Sequence, residues 1–193
     1  MEKAKREVAV WTRWLHIYLS MVSFATLLFF AATGITLNHT EWIEGQQVVE
    51  QVSGELETKW LGTVVDELKI VEALRNNHQI RSPLSAFTTD ETECSVSFKG
   101  PGYTADGFID RETGSYELTI TRSGWVAVMN DLHKGRDSGT TWSLFIDISA
   151  VLMIIVSLTG FLMIFFLKKK RVSGLLLAIL GGLAMVVLYW VFV

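Results

Sequence analysis

Three of the four histidines stand beside long apolar segments of the sequence, where an imidazole can serve as a ligand. His16 is the second residue of the first segment, His39 follows the end of that segment by two residues, and His133 precedes the second segment by nine. Neutral imidazole binds haem iron well, and helical bundles can hold a haem between facing helices. Two axial imidazoles leave the iron without an open position, which suits electron transfer rather than oxygen chemistry. These residues therefore predict a haem or metal site.

The sequence signatures of several other chemistries are absent. The chain contains no G-x-S-x-G, H-E-x-x-H, P-loop or dinucleotide-binding pattern. Its single cysteine, Cys94, excludes an intramolecular disulfide and any multi-cysteine zinc or iron–sulfur site, so we expect a buried structural thiol. A net charge of -3 gives no support for nucleic-acid binding. The histidines therefore carry the strongest chemical signal in the sequence.

Three apolar segments predict a membrane protein. Apolar residues make up 50% of the 193 residues and charged residues only 19%, whereas soluble domains carry about 25% charge. The excess of apolar residues lies in residues 15–37, 142–167 and 172–193. Each segment reaches the roughly 20 residues that a helix needs to cross about 30 Å of hydrocarbon. The first is too long for a signal-peptide core and lacks a small-residue cleavage site, so we expect it to be retained in the lipid bilayer.

Charge predicts the orientation of these three helices. Four basic residues precede or begin the first segment, and Lys168–Arg171 separate the second from the third, so both flanks are expected on the cytoplasmic side. The intervening residues 38–141 contain 17 acidic and 9 basic residues and are expected outside, as is the C-terminus. His39 and His133 then share the outer side and could meet. His16 lies alone on the inner side, so its partner ligand would come from another subunit, another protein or a weaker donor such as Met163.

A threonine–glycine pair occurs late in each of the first two segments. Because the two helices run in opposite directions, Gly34 is expected near the level of His39 and His133, and Gly160 near the level of His16. A glycine removes the side chain where a flat macrocycle approaches a helix. The alternative is close helix packing, which small residues also permit.

The third segment has a small-residue face that includes Gly182, which predicts a helix partner in the membrane, such as a second copy.

The outer segment reads as a small α+β domain. Residues 66–77 show the apolar periodicity of one amphipathic helix, and residues 85–89, 93–99, 103–110 and 115–121 read as short strands separated by turn signals. We expect a helix followed by an antiparallel meander. His78 ends the helix and is expected to be exposed to solvent. Nothing in this domain predicts an enzyme active site.

The chain resembles the PepSY-associated transmembrane family, and most closely its short, PepSY_TM-like members. The resemblance covers nearly the whole chain. It implies an α+β membrane protein with three transmembrane helices and an extracytoplasmic PepSY-like helix-plus-antiparallel-sheet domain inserted between helices 1 and 2, in the bacterial inner membrane. The residues that carry it are Arg13-Trp14-Leu15-His16, Thr33-Gly34-Ile35, Gly107–Gly114, Leu132-His133-Lys134-Gly135, Gly139–Asp147 and Ser157-Leu158-Thr159-Gly160.

Six segments follow from this assignment. They are a basic cytoplasmic N-terminus (1–14), helix 1 (15–37), the PepSY-like domain (38–141), helix 2 (142–167), a cytoplasmic loop (168–171) and helix 3 (172–193).

The resemblance also bears on haem. Larger relatives include inner-membrane ferric-siderophore reductases in which membrane-edge histidines hold haem. By position, His16 and His133 match the histidines of the family's motifs, while His39 lies outside them, so its pairing with His133 is inferred from the residues alone.

Two functions remain open at this point. In the first, haem b bound by His133, with His39 or His16, passes electrons from a cytoplasmic or quinol donor to an outer acceptor such as ferric iron or a ferric siderophore, within a transmembrane reductase system. In the second, the chain is a PepSY-type binding or accessory module for an envelope partner. The histidines are then incidental or bind a metal ion through His39, Glu41, Asp131 and His133.

Overall fold

The computed structural model describes residues 2–42 and 45–193. Five α-helices and five strands were found in these residues, with short 3-10 turns at Thr40–Trp42 and Thr58–Trp60. In chain order they are α1 (Glu2–Asn38), β1 (Val48–Glu55), α2 (Glu67–His78), β2 (Leu84–Thr89), β3 (Glu93–Gly100), β4 (Tyr103–Asp110), β5 (Ser115–Arg122), α3 (Trp125–Lys134), α4 (Gly139–Ile164) and α5 (Arg171–Phe192).

Three of these helices, α1, α4 and α5, are long and apolar enough to cross a membrane. Their outward side chains are mostly exposed and apolar, which is the composition that lipid tails require. Helical structure also satisfies every backbone polar group internally, as the hydrocarbon region demands. Three helices of this length and composition are typical of a membrane protein.

The chain divides into two compact units. The first contains the residues up to Phe29 together with Asp147–Val193, and the second contains Phe30–Ile146. The first unit is made of α5 and of most of α1 and α4. The second holds the sheet, α2, α3 and the end of α1.

The five strands form one antiparallel sheet in the order β1-β5-β4-β3-β2. Burial alternates along β3, β4 and β5, so one face of the sheet packs into a core and the other is open. Ile70 and Leu74 of α2 are fully buried in the same hydrophobic cluster as Phe98 and Ile109 of the sheet. Cys94 is also fully buried, as a structural thiol would be.

The order of elements differs from the predicted helix and meander in two respects, because helix α3 follows the last strand and a further strand precedes α2. Strand β1 precedes α2 and pairs with β5 along its whole length, from Val48 opposite Arg122 to Glu55 opposite Ser115. The sequence did not reveal β1 because it is an edge strand with little burial alternation. The helix and the four later strands agree with prediction to within one residue at each end.

The predicted exposure of His78 was wrong. Its imidazole is half-buried at the end of α2, and Nε2 shares a hydrogen bond of 2.8 Å with the hydroxyl of Tyr116. The two rings also meet edge to face at 5.7 Å. Tyr116 faces the core from β5. Its hydroxyl holds the His78 side chain against the domain, although the local sequence predicted that this side chain would be exposed to solvent.

Replacement of Leu74 by alanine should destabilise the sheet domain by about 2–5 kcal/mol, because a fully buried leucine leaves a cavity. Leu68→Ala on the same helix is the matched control. Leu68 is 67% exposed, so its loss should cost no more than about 0.5 kcal/mol. Denaturant unfolding of the purified chain in detergent measures both. Equal losses of stability in the two variants would contradict the burial of the α2 face that carries Leu74.

Candidate functional site: two histidines anchored by threonine

His133 lies on α3, and α3 is fixed in place by buried polar contacts. Asp131 Oδ2 accepts a hydrogen bond of 2.9 Å from the backbone N–H of Gly102 in the β3–β4 turn. Asn130, which is 5% exposed, accepts one of 2.6 Å from the hydroxyl of Thr36 on α1. These contacts tie α3 to the sheet on one side and to α1 on the other, and so restrict where His133 can point.

Glycines delimit α3 at both ends. Gly124 is the N-cap, and Gly135 follows the last turn with a φ of 67° in the left-handed region, where its backbone N–H caps the carbonyls of Asp131 and Leu132. The indole N–H of Trp142 donates to the Leu132 carbonyl at 2.7 Å. The helix therefore ends at Lys134, one residue after His133, which keeps the imidazole in the last turn of a short, capped helix.

The ring of His133 is held by a threonine of α1. Its Nδ1 lies 2.6 Å from Oγ1 of Thr33, and Phe30 meets the ring edge to face at 5.0 Å. The Thr33 hydroxyl also lies 3.4 Å from the Phe30 carbonyl, so it can accept from Nδ1 while its own hydrogen reaches that carbonyl. In the part of the chain that the structure describes, Nε2 makes no hydrogen bond.

The surroundings of His133 favour the uncharged ring. Burial lowers its pKa below the usual value of 6.5, and the positive charge of Lys134 lowers it further. A lower pKa leaves the imidazole neutral at pH 7, and neutral imidazole is the form that binds metal ions and haem iron.

His16 is held by α4 in the same way. Its Nδ1 lies 3.0 Å from Oγ1 of Thr159 and 3.1 Å from the carbonyl of Val156. A carbonyl can only accept, and the Thr159 hydroxyl donates to backbone carbonyls at 2.9 Å. Nδ1 therefore carries a hydrogen and donates it, and Nε2 is the ring nitrogen that is left for a ligand. No hydrogen bond to that nitrogen occurs within residues 2–42 and 45–193.

The two predicted glycines lie beside these two rings. A Cβ built on Gly160 would come within 3.1 Å of Cε1 of His16, and one on Gly34 within 3.9 Å of Cε1 of His133. The space next to each glycine is thus taken by an imidazole of the same chain. Close packing of the His16 ring explains Gly160, whereas the 3.9 Å at Gly34 is an ordinary contact that a Cβ could also make. Contact of either glycine with a cofactor stays a prediction.

The same local arrangement therefore occurs twice, once in each unit. In each case the residue just before the glycine, Thr33 or Thr159, presents its hydroxyl to a histidine Nδ1. The sequence pattern indicated the two glycines but not the role of the two threonines. The repeated Thr-Gly pair was the pattern that could have indicated this contact, because a hydroxyl one position before a glycine lies next to the space that the glycine leaves open.

His39 has a different environment. Its Nδ1 lies 2.9 Å from Oε1 of Glu41, and its ring stacks on Trp42 at 4.3 Å. The hydrogen bond from His39 is the main reason that the pKa of Glu41 falls below its usual value of 4.5. Neither contact reaches His133, and the pairing of these two rings stays a prediction.

The four residues of the alternative metal site are likewise engaged separately. His39 pairs with Glu41, Asp131 accepts from Gly102, and His133 bonds to Thr33. Among the described residues there is no group of three or more His, Cys, Asp or Glu side chains placed to hold a metal ion. Each of these two histidines therefore stands as a single imidazole that is held through Nδ1, and its Nε2 makes no hydrogen bond among the described residues.

A bulky residue at position 160 should displace the His16 ring, since even a Cβ approaches it closely. We expect Gly160→Leu to destabilise the protein by about 1–3 kcal/mol, as overpacking does. Gly181→Leu is the matched control, because nothing lies within 4 Å of a Cβ at Gly181. Thermal unfolding in detergent compares the two, and an equal effect at both positions would contradict the packing of His16 on Gly160.

Comparison with known proteins identifies the family. The family described as "Putative PepSY_TM-like" matches residues 10–193. No curated protein and no solved structure matches the chain significantly. The match runs through both anchored histidines, both Thr-Gly pairs and the whole of the sheet domain. The chain therefore belongs to the PepSY_TM-like family.

Proposed function

We propose that this chain is a haem-b-binding electron-transfer protein of the membrane, with His16 and His133 as iron ligands. The observation that carries the proposal is the repeated anchoring of a histidine Nδ1 by a threonine hydroxyl, with Nε2 left without a hydrogen bond among the described residues. Histidines that bind metals usually have their other ring nitrogen fixed in this way, because a partner there sets the tautomer and the ring orientation.

The donor set fits haem better than it fits a bare metal ion. A bare ion needs three or four ligands around one point, and no such cluster was found in the residues that the structure covers. Haem supplies four equatorial nitrogens of its own, so one or two imidazoles complete its iron. When bound with two imidazole ligands, haem supplies one-electron transfer without an open site for oxygen.

His39 is the proposed second ligand on the His133 side. Its Nδ1 is held by Glu41, so its Nε2 is the nitrogen left for the iron, as in the other two histidines. The side chain is 40% exposed, which leaves room for it to reorient. By the predicted orientation this pair lies on the outer side, where a ferric chelate would accept the electron. Haem in that position would make the chain part of an inner-membrane ferric-iron or ferric-siderophore reductase system.

Haem content tests the proposal. The purified full chain, expressed with added haem precursor, should show a Soret band. His16→Ala and His133→Ala should each lower the ratio of haem to protein, and the double variant should abolish it, because each removes an iron ligand. The pyridine haemochrome assay gives the ratio. Thr33→Val keeps His133 but removes its anchor, and should weaken haem binding about 10–100-fold.

The control is His78→Ala, which removes a histidine that bonds to Tyr116 in the sheet domain. Its haem ratio should equal that of the unaltered chain. A chain without a Soret band after incubation with haemin would overturn the proposal, and so would a double variant that retains the full ratio.

One observation favours a second function, that of a PepSY-type binding module. Phe108 is 59% exposed in the middle of the open sheet face, and its cross-strand neighbours are Ser95 and Glu117. An aromatic side chain among polar neighbours on a rigid sheet is suited to hold a peptide or protein partner. The haem ratio separates the two functions, because this one requires no haem.

A further inference from the structure

An open cleft lies beside the anchored His16, within the helical unit. It is formed by the first turns of α1 and the last turns of α4 and has a volume of about 520 Å³. Leu15 and Leu162 line it, and Trp11 and Trp14 meet edge to face at 5.8 Å to form an aromatic corner. Pockets of roughly 300–1,000 Å³ with mainly apolar walls are typical of small-molecule sites.

Three polar groups also line this cleft, and they narrow the chemistry of its occupant. Glu7 contributes a carboxylate and Thr12 a hydroxyl, whereas the hydroxyl of Thr159 is engaged by His16 and by backbone carbonyls. A carboxylate accepts hydrogen bonds and repels anions, so an anionic lipid headgroup is disfavoured there. The complementary ligand is uncharged, flat enough to pack against indole rings, and able to donate and accept hydrogen bonds at its edge.

The cleft is continuous with the proposed ligand site. Thr159 both lines the cleft and bonds to Nδ1 of His16. A ring bound against Thr159 would therefore lie one side chain away from the anchored imidazole. Most of the cleft residues on α1 precede the first predicted span (15–37), so the cleft lies at the predicted inner edge of the membrane, where the ring of a lipid-dissolved ligand can reach it.

We infer that this cleft binds the ring of a membrane quinol or quinone. The inference deepens the proposed function and rests on it, since it names the class of electron donor. Oxidation of one quinol to the quinone breaks two O–H bonds and releases two protons and two electrons. The electrons reduce two equivalents of a one-electron acceptor, which in the proposed function is ferric haem. Glu7, which lines the cleft, is the carboxylate that would accept one of these protons, and water would accept the other.

Tryptophan fluorescence tests the binding without any measurement of activity. The full chain in nanodiscs of defined phospholipid is titrated with decylubiquinone, a short-chain quinone that quenches nearby indoles. Trp11 and Trp14 should report a saturable phase above the linear quenching caused by quinone in the lipid. Glu7→Gln removes the charged acceptor, and Leu162→Phe fills the cleft, so each should weaken the saturable phase at least tenfold.

Matched changes elsewhere serve as controls. Glu112→Gln alters an exposed carboxylate in the sheet domain, and Leu183→Phe alters an exposed leucine of α5, so both should leave the saturable phase unchanged. Linear quenching alone in the unaltered chain would overturn the inference, as would full competition by phosphatidylglycerol. A chain that binds haem yet shows only linear quenching refutes the quinone site alone. A saturable phase in a chain that binds no haem refutes the proposed function and leaves the site.

Discussion

A hydrogen bond between a threonine hydroxyl and a histidine Nδ1 is the contact on which the account of this protein depends. An imidazole has two nitrogens, and a ring that is free to rotate offers neither of them in a fixed direction. Thr33 and Thr159 each engage one nitrogen, at 2.6 Å and 3.0 Å, and the other nitrogen is thereby given a defined position. Gly160 also leaves the space in which the His16 ring lies, and Gly34 makes an ordinary contact with the ring of His133. The hydrogen bond is thus the feature that the two histidines share, and it fixes the orientation of each ring.

The sheet domain contributes to this arrangement through α3. Asp131 binds the β3–β4 turn, and Asn130 binds Thr36 on α1, so the helix that carries His133 is attached to a rigid sheet as well as to a membrane helix. The core beneath α2 keeps that sheet rigid, because its largest side chains are fully buried. A domain of this size gains most of its stability from such a core. The fold of the sheet therefore helps to fix the position of His133, which lies on α3 and not in the sheet itself.

Much of this could be predicted from the sequence, and the reasons are physical. Residues 66–77 and the strands at 93–99 and 103–110 were evident because burial on one face imposes a strict period on the chain. The nearness of Gly34 to His133 and of Gly160 to His16 followed from helix length and opposite direction. Strand β1 was missed because an exposed edge has no such period. His78 was misplaced because Tyr116 reaches it from a distant strand. The Thr33 and Thr159 bonds were missed because a hydrogen bond between remote residues leaves no local pattern.

Electron paramagnetic resonance of the ferric protein tests the central claim most directly, because it reports the ligands of the iron rather than the amount of haem. An iron held by His133 and His39 should give a low-spin ferric signal typical of two nitrogen ligands. Replacement of His133 should convert the signal of its haem to the high-spin form. A purely high-spin spectrum in the unaltered chain, or a low-spin spectrum that survives the loss of both His16 and His133, would contradict the account.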